Sequence, residues 1–189
     1  MAKFTRIAIM QTFGEMLEEM PFDKITVSAL VKRCGIGHNT FYYHYQDIYA
    51  LFDAWLREEL GQYISGIDDW QEGLRNLLRA CQNRSKIIYH IFDSLSRDRM
   101  ERYLFSLTDD LFLNYVARQA EGLVLPRERL QSIADFCRYA FFGFFLRFLW
   151  NAMADDVDRM VEELSELFPT FVENALTVAA REEKAPNTP

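Results

Sequence analysis

Apolar side chains recur every three or four residues through most of the chain, and no stretch alternates with period two. That pattern predicts an all-α protein. Ile9, Phe13, Met16, Leu17 and Met20 share one face of a first helix over residues 3–20. Pro21 to Lys24 is a short connection, with Phe22 turned into the core. From Thr26 to Tyr45 the pattern tightens into helix, turn, helix. The Thr26 hydroxyl can accept from a backbone N–H one turn into the helix, and Val27, Leu30 and Val31 make its apolar face. Cys34-Gly35-Ile36-Gly37 ends it; Gly35 suits the left-handed position past a helix terminus, and Ile36 plugs the gap between two helices. A short second helix, His38 to Tyr45, presents imidazoles, an amide, a hydroxyl and phenols, a surface suited to a DNA groove. A fourth helix opens at Asp47 and runs to Ile64 on Ile48, Leu51, Phe52, Trp55, Leu56 and Leu60, with Gly61, Gly66 and Asp68-Asp69 marking its end.

Further helices are predicted over 70–82, 84–94, 97–121, 127–153 and 156–180, with a disordered tail from Arg181. Tyr139 to Trp150, YAFFGFFLRFLW, is apolar nearly all round. It is too short to cross a membrane and contains Arg147, so it must be buried on every side. In a small body one of those sides is most easily supplied by a second subunit, where Gly143 would allow close approach. The last helix carries an apolar stripe from Val157 to Leu176, interrupted by Pro169, which is expected to kink or split it.

The chain has 189 residues and is 50% apolar, enough for a sizeable core. Three cysteines, Cys34, Cys81 and Cys137, are widely spaced and odd in number, which argues against a disulfide framework and for a reducing cytosol. The opening MAKFTRIAIM does not read as a signal peptide. A net charge of −7 looks unsuited to DNA. Within residues 1–47, however, five basic and five acidic side chains balance, so the acidic excess falls downstream. A neutral head can still meet phosphate through Lys3, Arg6 and helix N-termini, while the acidic body is held off the duplex.

Thr26, Val27, Leu30, Val31, Cys34, Gly35, Ile36, Gly37, Thr40, Phe41, Tyr42, His44 and Tyr45 together resemble the helix-turn-helix of the TetR family of bacterial transcription regulators. The resemblance covers the first quarter of the chain. It implies an N-terminal three-helix DNA-binding domain over 1–47. A helical ligand-binding and dimerisation domain over 48–180 and a tail over 181–189 would follow. The implied function is a sequence-specific, cytoplasmic, homodimeric regulator of a palindromic operator, a repressor controlled by a small-molecule effector. The implied dimer is a four-helix bundle of the last two long helices. Residues suited to it are Phe142, Gly143, Leu146 and Trp150 on one helix and Leu164, Phe168, Phe171 and Leu176 on the other. Two positions depart from the family pattern. Gly37 stands where many members have Ser, a weaker cap, and Ile48 stands where many have a phosphate-binding Lys.

The DNA-contacting set expected on this basis is Lys3, Arg6, Thr26, Gly37, His38, Asn39, Thr40, Tyr42, Tyr43 and His44. Asn39 can pair bidentately with adenine, His38 can donate to a guanine acceptor, and Tyr43 can touch a thymine methyl or a phosphate. By the resemblance Thr40, Tyr42 and His44 hold the backbone, while Phe41 and Tyr45 pack inward. An effector pocket would draw on Tyr89, Phe92, Tyr103, Phe105, Phe112, Tyr115, Phe136 and Tyr139, although aromatics at this spacing more often form core. Arg138 and Arg147 on an apolar helix call for an anion, either an acidic neighbour or an anionic ligand. No cofactor or metal site is expected. His90 is the single histidine outside the head and lacks a ligand at metal spacing, and no nucleophile elbow or phosphate loop occurs. The alternatives are a helical interaction protein that kept the head without specific DNA binding, and an all-α enzyme.

Overall fold

The structure, a computed structural model, describes residues 2–64 and 70–184, apart from the side chains of residues 2, 3, 62, 64, 107, 109 and 184. Every regular element among them is helical: α1 (Ala2–Glu19), a short 3-10 turn (Phe22–Lys24), α2 (Val27–Cys34), α3 (His38–His44), α4 (Ile48–Ile64), α5 (Trp70–Asn83), α6 (Ser85–Phe92), α7 (Arg97–Gln119), α8 (Arg127–Trp150) and α9 (Val157–Lys184). Two compact units result, Met1–Glu101 and Arg102–Pro189. In the first unit α1 packs on α4 and α6 as well as on α2.

The core of the first unit is aromatic. Phe13 is fully buried, with the rings of Phe22, Phe52 and Trp55 centred 6.1, 6.5 and 5.9 Å away, all edge-on. Edge-to-face pairs of this kind add to the gain from area burial. Gly14 makes room for Trp55: a Cβ built there would lie 3.1 Å from the indole Nε1. A mid-helix glycine ordinarily costs stability, so close packing explains its presence.

In the second unit, α8 and α9 bury Ile133, Cys137, Phe142, Leu146, Phe148, Leu149, Val161, Leu164, Phe168, Val172 and Leu176. Pro169 does not split α9, which continues unbroken past it although Pro cannot donate to the Ser165 carbonyl. The helix also runs through Arg181–Lys184, the start of the expected tail, where Arg129 pairs with Glu182 at 2.5 Å. Residues 185–189, like Gly66, Asp68 and Asp69, lie outside the described residues. None of the three cysteines is in a disulfide. Burial pushes the Cys81 and Cys137 thiols up to about 11, which keeps them protonated and unreactive at neutral pH.

Candidate nucleic-acid interface

The helix-turn-helix forms through local chemistry. Thr26 is extended, and its Oγ1 accepts from Ala29 N at 3.2 Å. At the other end of α2, Gly35 adopts φ 67°, ψ 30°, and Ile36 N donates to Val31 O at 3.0 Å. A Cβ on Gly35 would meet nothing within 4 Å, so glycine is needed there for its backbone alone. Gly35→Val is therefore expected to cost about 1–2 kcal/mol, the price of the left-handed region for a residue with a side chain. The urea midpoint should fall with unchanged slope, and Gly35→Asn should lose clearly less.

Ile36 is half-buried between α2 and α3. Phe41 and Tyr45 point inward, with 0% and 7% exposure. Burial raises the Tyr45 phenol above its ordinary pKa, with neighbouring Arg6 acting in the opposite direction. The opposite face of α3 is open. His38, Asn39 and Thr40 are exposed, Tyr42 and Tyr43 expose 55% and 78%, and His44 is half-buried with its ring 5.0 Å from that of Tyr43. Gly37 provides no side-chain cap to α3, in line with its weaker capping power. At the start of α4, Asp47 Oδ1 accepts from Ala50 N at 2.8 Å, beside Ile48.

Two contacts here are absent from the sequence-based site. His38 Nε2 lies 3.1 Å from Ser28 Oγ, so this ring nitrogen is engaged with α2 and Nδ1 is the one left for a base. Arg33 grips Glu19 through two bonds of 2.5 and 2.8 Å and Glu15 through one of 3.1 Å, joining α2 to α1. The hydrogen bonds raise the Arg33 pKa further and lower that of Glu19. With Arg33 so engaged and Lys24 2.8 Å from Asp23, Arg6 and Lys32 remain as exposed cations of the head. The Lys3 side chain is outside the described residues.

Two comparisons with known proteins agree with this geometry. Residues 14–55 match the model described as "Bacterial regulatory proteins, tetR family", and residues 68–170 match "Transcriptional regulator C-terminal region" of the same family. The chain belongs to the TetR family. It is a DNA-binding transcription regulator rather than an enzyme. Among solved structures, a protein titled "Dihydroxyacetone kinase operon activator DhaS" is similar at 16% identity, over 90% of this chain and 97% of that one, with a TM-score of 0.64. At that identity the likeness is one of fold. Curated protein sequences contain no match. No helix among the described residues is long and apolar enough to cross a membrane.

The second unit of this TetR-family chain rearranges the residues expected for effector and partner. Phe142, Leu146, Leu164, Phe168 and Leu176 are buried within the chain itself, so their apolar surface is already spent on the core. Gly143 and Trp150 are exposed, and Phe171 is half-exposed. Phe136 and Tyr139, expected in a pocket, are each 57% exposed on α8. Phe136 stacks on Phe171 of α9 at 4.4 Å, so an open apolar face continues from one helix to the other. Leu167 and Val178 extend it along α9.

The remaining pocket candidates are divided between units: Tyr89 and Phe92 are half-buried on α6 in the first, and Tyr103, Phe105, Phe112 and Tyr115 are half-buried on α7 in the second. Phe105 packs on Tyr139 and Phe142, while Phe112 packs on Phe141 and Phe168. Arg138 lies over the Phe105 ring at 4.5 Å and pairs with Asp135 at 2.5 Å, so its charge is met by an acidic neighbour one turn away. Arg147 is exposed and 3.9 Å from Glu163. It belongs to an open cleft of about 340 Å³ at the α8–α9 turn, lined also by Asn151, Asp155, Asp156, Arg159, Met160 and Glu163. None of the predicted pocket residues lines that cleft.

Proposed function

We propose that the chain acts in the cytoplasm as a homodimeric, sequence-specific repressor, released from a palindromic operator by a small-molecule effector. The observation that carries the DNA-reading part is the α3 face. His38, Asn39 and Tyr43 are exposed together on a short helix whose far side is anchored by Phe41 and Tyr45. Such a helix fits the major groove, with its N-terminal side chains at the base edges. Arg6, Thr26, Thr40, Tyr42 and His44 then serve register and backbone contact. Dimerisation is supported by the open face of Phe136, Tyr139, Gly143, Trp150, Leu167, Phe171 and Val178, which is large and apolar for a lone chain in water.

Repression requires only occupancy of the operator, whereas activation requires a surface for polymerase as well. A reporter driven from the selected operator gives the sign: expression should rise when the gene is deleted. The effector reading is supported by the half-buried aromatics of α7. Because Asp135 already meets Arg138, an uncharged effector suits this region as well as an anionic one.

Asn39→Ala is expected to cost about 1–3 kcal/mol on the preferred operator and to relax choice at one base position. Titration of matched and mutated operators measures both. Equal affinity of parent and variant for every operator would remove Asn39 from direct readout.

A further inference from the structure

The last carbonyls of α1, like those of any helix, need donors from outside it. In a regular helix the Leu17 carbonyl would accept from the backbone N–H four residues on, but that residue is Pro21, which has none. A carbonyl left in this way at a partly buried helix end needs an outside donor. The donor comes from α6: His90 Nδ1 lies 2.6 Å from Leu17 O. A carbonyl oxygen only accepts, so the imidazole must carry its proton on Nδ1.

The residues just past α6 reach the far side of the α1–α2 connection. Ser94 Oγ donates to His90 O at 2.6 Å and lies 3.4 Å from Asp23 Oδ1. Leu17 and Asp23 bracket Pro21, so His90 of α6 and Ser94 just past it hold the connection from both sides. The contacts continue to the DNA face. Glu19, two residues beyond Leu17, is gripped by Arg33 of α2, and Ser28 of α2 meets His38 of α3.

We propose that His90 is a positioning residue for DNA binding. By completing the C-terminus of α1 from α6, it fixes the angle of the helix-turn-helix and with it the half-site spacing that a dimer accepts. The inference rests on the operator-binding reading above. It goes beyond that reading by assigning a role to a histidine far from any base.

The test compares His90→Phe, which keeps a ring but has no donor, with His90→Asn, whose amide can donate from nearly the place of Nδ1. Each is titrated on a full operator, on a single half-site, and on operators with the half-sites moved apart or together by one base pair. His90→Phe should bind the half-site like the parent and lose about tenfold on the full operator, a factor in keeping with one orphaned carbonyl. It should discriminate less between spacings, and His90→Asn should restore both properties. Parental affinity and spacing preference in His90→Phe would overturn the inference, as would an equal loss on half-site and full operator. Histidine nitrogen NMR of the parent gives a check independent of any variant: the Nδ1–H tautomer is expected, and an Nε2–H tautomer would also overturn it. A parent chain that selects no inverted repeat would instead sink the operator reading itself.

Discussion

Phe136→Asp is expected to turn the dimer into a monomer of intact fold and to remove most of its operator affinity. Phe136 is 57% exposed and stacked against Phe171 at 4.4 Å, at the place where the open faces of α8 and α9 meet. In a lone chain the new carboxylate would stand in water at little cost. In a dimer it would be buried without a partner, which costs several kcal/mol for each copy. The loss on DNA follows from linkage of two heads. Once one head is bound, the second binds at a raised effective concentration, and that advantage is worth roughly 10²–10⁴ in affinity. Light scattering should show half the parental mass, and gel shift should show a loss of about 10² or more on the full operator with little change on a half-site. A parental mass would place the partner surface elsewhere.

Phe13→Ala should be the most damaging single change to the first unit. The side chain is wholly buried, and three further rings meet it edge-on. Truncation of a buried phenylalanine costs about 3–5 kcal/mol through lost transfer energy and the cavity left behind. The loss of aromatic pairing falls within that range. Against a total stability of roughly 5–15 kcal/mol, the variant would be partly unfolded at physiological temperature. Urea denaturation followed by tryptophan fluorescence would register the change, since the Trp55 indole, one of three in the chain, is among the rings around Phe13. A midpoint shift equivalent to less than about 1 kcal/mol would contradict this account of the core.

The helix-turn-helix was legible because its determinants are local. Thr26 caps within three residues, Gly35 fulfils its own backbone need, and Phe41 and Tyr45 sit one turn apart facing inward. The Asp135–Arg138 pair was equally within reach, since it spans one helical turn. The open face of α8 was not. A segment apolar all round has no periodicity from which to choose a face, so Phe142 and Leu146 read the same as Phe136 and Tyr139. Packing of α8 against its own neighbours decides which are left exposed. The His90–Leu17 contact was half legible. Pro21 announces a carbonyl in need of a donor, but the donor arrives from 73 residues away. The packing of α6 on α1 was hidden for the same reason, because the two meet only in three dimensions.

The central claim is that this chain reads DNA as a pair of α3 helices. Selection from random duplex DNA at low and moderate salt tests it most directly. The account predicts an enriched inverted repeat whose half-sites lie about one helical turn apart, as two major grooves on one face require. It should retain its preference as salt rises, with a shallow salt slope because Arg33 and Lys24 are engaged with carboxylates. Binding without an enriched motif, vanishing as salt rises, would contradict it.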